Sequence, residues 1–227
     1  MPSILEVIVT SRDEAIQAEL GGADRLEVVD SLENGGLTPS IGAVEKILGA
    51  ASIPMRVMVR ANASMSIGGG EEINRLQHCV RDFSALPIDG LVLGFIKAGA
   101  VDRDATQEVL AAAPACRATF HRAFDRLADP QRAIRELTSI PQIDRLLTTG
   151  GEGCWSERKN RLIQWQEAAA PGIKIVVAAG LCASILADLS RPNALEEVHI
   201  GRAARIAQIT TGEISRAQIA ALKRLLG

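Results

Sequence analysis

Charged and imidazole side chains stand inside runs that otherwise read as buried β-strands. Glu6 lies in the apolar run 4–9, Arg25 and Glu27 in 25–29, and Arg56 and Arg60 in 55–60. His121 ends the run 117–121, Arg145 lies in 143–148, Lys174 in 173–178, and Glu197 and His199 in 197–200. Successive side chains of a strand point to opposite faces. Leu5, Val7 and Val9 therefore oppose Glu6 and Ile8, and Leu26 and Val28 oppose Arg25 and Glu27. The same alternation sets Phe120 against Thr119 and His121, and Val198 and Ile200 against Glu197 and His199. In the run 143–148, Arg145 shares its face with Leu147 and Thr149, so that strand stays ambiguous. An unpaired charge inside a protein costs several kcal/mol, on the order of 3–5 when one partner is missing. Glu6, Glu27 and Glu197 are accordingly expected to pair with some of Arg25, Arg56, Arg60, Arg145 and Lys174.

Such a set suits acid–base chemistry. A carboxylate in a low-dielectric interior has a raised pKa and can exchange protons near neutral pH. Glu6 and Glu27 are the first candidates, and His121, oriented by Asp125, is the second proton donor or acceptor. Arg25, Arg60 and Arg145, with Thr149 beside them, would hold an anionic or polyhydroxy substrate. Gly180 and Gly201 follow the seventh and eighth strands, where small residues let backbone N–H groups approach a phosphate or carboxylate. Two blander readings stand beside this one: the charges form a purely structural network, and His121 only caps backbone groups in its own loop. No Ser-His-Asp or Cys-His arrangement can be read from residue order. For a soft metal, only Met58, Met65 and His121 could converge near one rim. Met55 and Met58 point to opposite faces of their strand, and His78 and Cys79 diverge on a helix.

The elements that must position these residues alternate strand and helix from end to end. Helices are expected at 11–21, from Thr38-Pro39 onward, 71–86, 103–113, from Asp129-Pro130 onward, 156–169, 182–189 and 215–226. Thr38 and Asp129 read as N-caps, each with proline at the first helical position. Eight such units in 227 residues imply one (β/α)8 TIM barrel over residues 1–227 rather than two domains. The rival, an open doubly wound sheet, lacks its GxGxxG fingerprint after the first strand. Barrel enzymes keep their sites at the strand C-terminal ends. The triplet Gly68-Gly69-Gly70 reads as a mobile loop.

Composition narrows the partners. Net charge is −2, aromatic residues make up 3%, and there is no Tyr. That excludes the basic, aromatic surface of a nucleic-acid binder. No apolar stretch reaches membrane-span length, and Met1-Pro2-Ser3-Ile4 does not read as a signal peptide. Four scattered cysteines without CxxC fit free thiols in the cytoplasm.

Several segments carry a resemblance. Leu5-Glu6-Val7, residues 22–27 (GADRLE), 35–40 (GGLTPS), 119–125 (TFHRAFD) and 144–151 (DRLLTTGG) resemble, in order, the CutC family, named for copper homeostasis. The GGLTPS and TFHRAFD segments are the specific ones. The resemblance implies a (β/α)8 barrel, cytoplasmic location, copper binding and a homo-oligomer. It also implies that Glu6, Arg25, Glu27, Arg60, His121, Asp125 and Arg145 match shared polar positions. Where the family commonly has cysteines, this chain has Ile8 and Val29. Its Arg60-Ala61-Asn62 replaces the family's Arg-Pro-Arg, and 63–70 replaces an acidic, aromatic loop. Three expectations follow: an enzyme of the lyase, isomerase or hydrolase kind, a copper-binding homeostasis protein, or a non-catalytic barrel holding a metabolite or partner.

Overall fold

A computed structural model describes residues 4–191 and 194–227. The opening Met1-Pro2-Ser3 lies outside the described residues. The barrel strands are β1 (Ile4–Val9), β2 (Arg25–Val28), β3 (Met55–Met58), β4 (Gly90–Leu93), β7 (Ala118–Phe120), β8 (Ile143–Thr148), β9 (Lys174–Ala178) and β10 (Glu197–Ile200). They close in that order, β10 pairing with β1, all parallel. A side hairpin, β5 (Ile96–Lys97) and β6 (Ala100–Val101), follows β4. The helices are α1 (Arg12–Leu20), α2 (Ile41–Leu48), α3 (Gly70–Ser84), α4 (Arg103–Leu110), α5 (Pro130–Thr138), α6 (Trp155–Ala169), α7 (Ala183–Leu189) and α8 (Arg216–Leu226). The expected single (β/α)8 barrel is the observed one. No helix among the described residues is long and apolar enough to cross a membrane.

Local chemistry explains most helix starts. Ser11, Asp129 and Ser215 accept a hydrogen bond from the third residue onward, and Pro130 occupies the first turn of α5. The expectation for α2 needs correcting. Its N-cap is Ser40, whose side chain accepts from Ala43 N, not Thr38. The Thr38 hydroxyl instead meets the backbone N–H and C=O of Arg60, at 2.7 and 3.0 Å, and ties the β2–α2 loop to the chain leaving β3. The glycine triplet is also more ordered than expected: Gly70 opens α3, and Gly68 N donates to Glu72 at 2.7 Å.

The outward faces of the strands carry Leu5, Val7, Val9, Leu26, Val28 and Val57, all buried in the layer between barrel and helices. The polar faces point inward, because the apolar ones bury more surface against the helices. Lys174 is the exception. It is the first residue of β9, half-exposed, and pairs with Glu196 at 2.8 Å in solvent. A long lysine at a barrel mouth reaches water instead of paying for burial.

At the N-terminal mouth Arg56 is sealed in. Its guanidinium holds Asp89 at 2.8 Å, both oxygens of Asp144 at 2.6 and 2.8 Å, and Thr119 Oγ1 at 3.0 Å. The register between β7 and β8 shifts between Ala118 and Thr119. Such an irregularity re-aims side chains, and the adjacent Asp144 and Arg145 both serve the interior: Asp144 on Arg56, Arg145 on Glu197.

Candidate acid–base site at the C-terminal mouth

Arg145 Nη1 donates to Asp144 Oδ2 at 2.8 Å, so the floor continues into a network that runs up through the barrel. Arg145 Nε donates to Glu197 Oε2 at 2.8 Å, and Arg25 Nη2 donates to the same oxygen at 2.6 Å. Arg25 Nε donates to Glu6 Oε2 at 2.5 Å. The other Glu6 oxygen, Oε1, lies 2.8 Å from His199 Nδ1. His199 Nε2 then faces Glu27 Oε2 at 3.7 Å. Glu27 Oε1 is buried and has no hydrogen-bond partner among the described residues.

These residues converge because strand register is set by closure. β1 and β10 align Glu6 with His199, and β1 and β2 align Glu6 with Arg25 and Ile8 with Glu27. Glu27 thus stands one layer nearer the C-terminal mouth than Glu6. Burial disfavours an ionised Glu6, but Arg25 and His199 outweigh it and hold the carboxyl well below the usual range. Glu27 behaves in the opposite way. Burial and the neighbouring Glu6 charge push it up to about 7, against the pull of His199 and Arg25. Burial also opposes an imidazolium at His199, but Glu27 and Glu6 raise its pKa above the ordinary value.

His121 follows β7 and caps the 3-10 helix at Arg122–Arg126. Its Nδ1 accepts from Ala123 N at 3.1 Å, so a neutral ring carries its proton on Nε2. That Nε2 is buried without a partner among the described residues. Burial and the Arg60 charge lower the His121 pKa to about 3, so the ring is a neutral donor at pH 7. Ala123, not Asp125, fixes this ring. Asp125 accepts instead from Thr148 Oγ1 at 2.6 Å, Thr149 N at 3.1 Å and Arg122 Nε at 3.1 Å, and so joins the 3-10 helix to the end of β8. Sequence reasoning missed Gly94. A Cβ there would fall 2.6 Å from His121 Nδ1, so only glycine leaves room for the ring.

Both unpartnered atoms belong to residues lining a cavity of about 960 Å³ at the C-terminal mouth. Its floor is made by strand residues such as Ile8, Glu27, Met58, Leu147 and His199. Arg60, Arg122, Arg126 and Arg202 line it from the loops, with Gly180 and Gly201. Glu6, Arg25 and Arg145 are not among the lining residues; they lie beneath it, in the network. Arg60 is held by backbone: its Nη1 donates to Gly35 O and Gly36 O at 3.1 and 3.2 Å, and its Nη2 to Ala63 O at 2.6 Å. Its Nε is buried without a partner among the described residues. Thr149 is set back from the cavity, its N–H on Asp125 and its hydroxyl accepting from Gly151 N at 3.1 Å.

Met58 and Met65 line the cavity, and none of the four cysteines does. Ile8, Val29, Met58 and Val92 form a small apolar cluster with Leu32 on one side of it. Donor atoms of Glu6, Glu27 and His199 lie within 4.8 Å of one another. Such an oxygen–nitrogen set is hard to borderline in character. However, both Glu6 oxygens are already engaged by Arg25 and His199, and four arginines line the entrance. That charge pattern favours an anion over a cation.

The sequence model of the CutC family matches residues 3–204. A family protein named CutC from Chromobacterium violaceum is 31% identical over 208 residues, covering 91% of this chain and 84% of that one. A human protein named copper homeostasis protein cutC homolog is 34% identical over 148 residues, 65% of this chain and 54% of its own. Among solved structures, the putative copper homeostasis protein CutC from Streptococcus agalactiae superposes with a TM-score of 0.77 at 23% identity, covering 88% and 98% of the two chains. Orotidine 5'-phosphate decarboxylase from Pyrococcus horikoshii OT3 gives 0.65 at 13% identity, covering 98% and 99%, a likeness of fold alone.

Proposed function

The chain belongs to the CutC family, and from that premise and the chemistry of its cavity we propose that the C-terminal mouth is an acid–base active site for a small anionic or polyhydroxy substrate. The reaction is of the lyase, isomerase or hydrolase kind. The observation that carries this reading is Glu27. It is a buried carboxyl raised to about 7, with one oxygen unpartnered among the described residues, and it lines the cavity. A group titrating near the working pH is the most effective proton carrier.

Glu27 exchanges a proton with the substrate, and His121 offers its neutral Nε2–H to a developing oxyanion. Arg122, Arg126 and Arg202 supply positive charge for the substrate's anionic group, with the backbone of Gly180 and Gly201 beside them. Glu6, Arg25 and Arg145 act from below the cavity and hold the charges in place. Asp125 keeps the Arg122–Arg126 turn against β8. Four free thiols support a reducing, cytoplasmic setting. A homo-oligomer is proposed on the family resemblance alone.

Copper(I) does not fit these residues. It prefers thiolate and thioether ligands, and the cavity offers two methionines beside carboxylates, imidazoles and guanidiniums, with no cysteine. No catalytic step is routed through copper. A thermal-shift screen of phosphorylated sugars, keto acids and metal ions tests the reading, followed by turnover assays on compounds that bind. Stabilisation by anionic metabolites, with turnover lost in Glu27→Gln, is the expected result. Stoichiometric copper in untagged protein would favour the copper-binding alternative. Tight metabolite binding without turnover would favour a non-catalytic barrel.

A further inference from the structure

The upper network is a chain of fixed hydrogen bonds that ends in a gap. From Arg145 through Glu197, Arg25 and Glu6 to His199, each link is 2.8 Å or shorter. The next separation, His199 Nε2 to Glu27 Oε2, is 3.7 Å, beyond hydrogen-bond range. Glu6, ionised and itself fixed by Arg25, accepts the Nδ1–H of His199 and sets the ring plane. This is the arrangement in which a carboxylate orients an imidazole so that its far nitrogen does the chemistry. That far nitrogen faces Glu27, and both residues line the cavity.

We propose that Glu27 and His199 work as one proton-sharing pair, with His199 a second catalytic residue, Glu6 its positioning residue, and an anionic carbonyl compound as the substrate class. The inference rests on the acid–base reading above and deepens it. In its base-ready form, populated as pH rises through about 7, the pair holds one proton, as Glu27 carboxylate and His199 imidazolium. Glu27 removes a proton from the carbon next to the substrate carbonyl. The C–H electron pair becomes the new carbon–carbon double bond, and the carbonyl π pair moves onto oxygen. His199 delivers its Nε2 proton to that oxygen, which His121 Nε2–H also holds. The substrate becomes its enol, and the pair, now neutral acid and neutral imidazole, still holds one proton. Reversal at a neighbouring carbon or oxygen completes an isomerisation. The carboxylate at carbon and the acid at oxygen thus act in concert, and no metal is required for this balance.

The test uses the three histidines of the full chain, His78, His121 and His199. Nitrogen-15 NMR of the ligand-free protein reads the protonation and tautomer of each ring. The charged groups acting on the pair are Glu6 from β1, Arg25 from β2 and Arg122 from the turn after β7. His199 is expected to stay protonated above the ordinary imidazole midpoint of about 6.5, and Glu27→Gln to lower its midpoint by about one pH unit or more. Glu6→Gln is expected to lower the His199 midpoint, because the amide oxygen still accepts the Nδ1–H but no longer carries the charge that favours an imidazolium, a change that a merely structural role would not produce. A His199 midpoint unchanged in Glu27→Gln overturns the pair. On a substrate found by the screen, His199→Gln is expected to lower kcat at least 100-fold, the range of a lost general acid. Full turnover in His199→Gln with none in Glu27→Gln overturns the pair and leaves the acid–base reading standing. Full turnover in Glu27→Gln overturns that reading instead.

Discussion

Replacing Glu27 with glutamine should stabilise the protein, and by an amount that grows with pH. The carboxyl rises from 4.5 to about 7 on folding, so the fold favours its neutral form. Below the unfolded value both states are protonated and the residue costs nothing. As pH climbs from 4.5 toward 7 the unfolded chain releases its proton first, so the unfolded state binds fewer protons and stability falls. Above 7 the loss is complete. At 1.36 kcal/mol per pKa unit, that loss is on the order of 3 kcal/mol. Glutamine has no such slope, although its amide makes a small offset that does not depend on pH. In urea titrations the variant and parent should lie close together at pH 4.5 and diverge to about 1–3 kcal/mol at pH 8. For a chain of this size each kcal/mol is about 2–4 °C in Tm. A Glu27→Gln difference that stays flat from pH 4.5 to 8 would refute the burial argument. Such a gain would also mark Glu27 as a residue kept at a cost to stability, the usual signature of a working group.

Three further outcomes follow from the same physics. Arg56→Leu takes the guanidinium from Asp89 and from Asp144, which keeps Arg145 at 2.8 Å, and should cost about 1–3 kcal/mol in urea unfolding, less than the loss of one partner of a fully buried pair. Gly94→Ala places a Cβ against the His121 ring, so the His121 NMR signals should move and anion-induced thermal shifts should shrink. Lys174→Ala removes a solvent-screened pair with Glu196 and should leave the urea midpoint unmoved; a clear loss would mean that the lysine does reach into the barrel.

Strand periodicity determined the face of most strand residues, with Asp144, Arg145 and Lys174 as the departures. Glu6, Arg25, Glu27, Thr119, Glu197 and His199 all lie on the inward side that alternation assigns to them, because two-residue periodicity is a property of the backbone itself. Cap chemistry was equally local, so Ser11, Asp129 and Ser215 start their helices as read. The family segments were legible for the same reason: each is contiguous. Partner choice was not legible. Arg25 meets Glu197, 172 positions away, and Glu6 meets His199, 193 positions away, only because β10 closes against β1 in one register. His199 was read as inward but could not be singled out until Glu6 and Glu27 were seen on either side of it. The Thr38 hydroxyl serves Arg60 rather than α2, and Asp125 serves β8 rather than His121, because loops meet across the mouth of the barrel. Alternation says which side of the wall a side chain occupies; the height at which it meets its neighbours comes from barrel closure, a property of all eight strands at once.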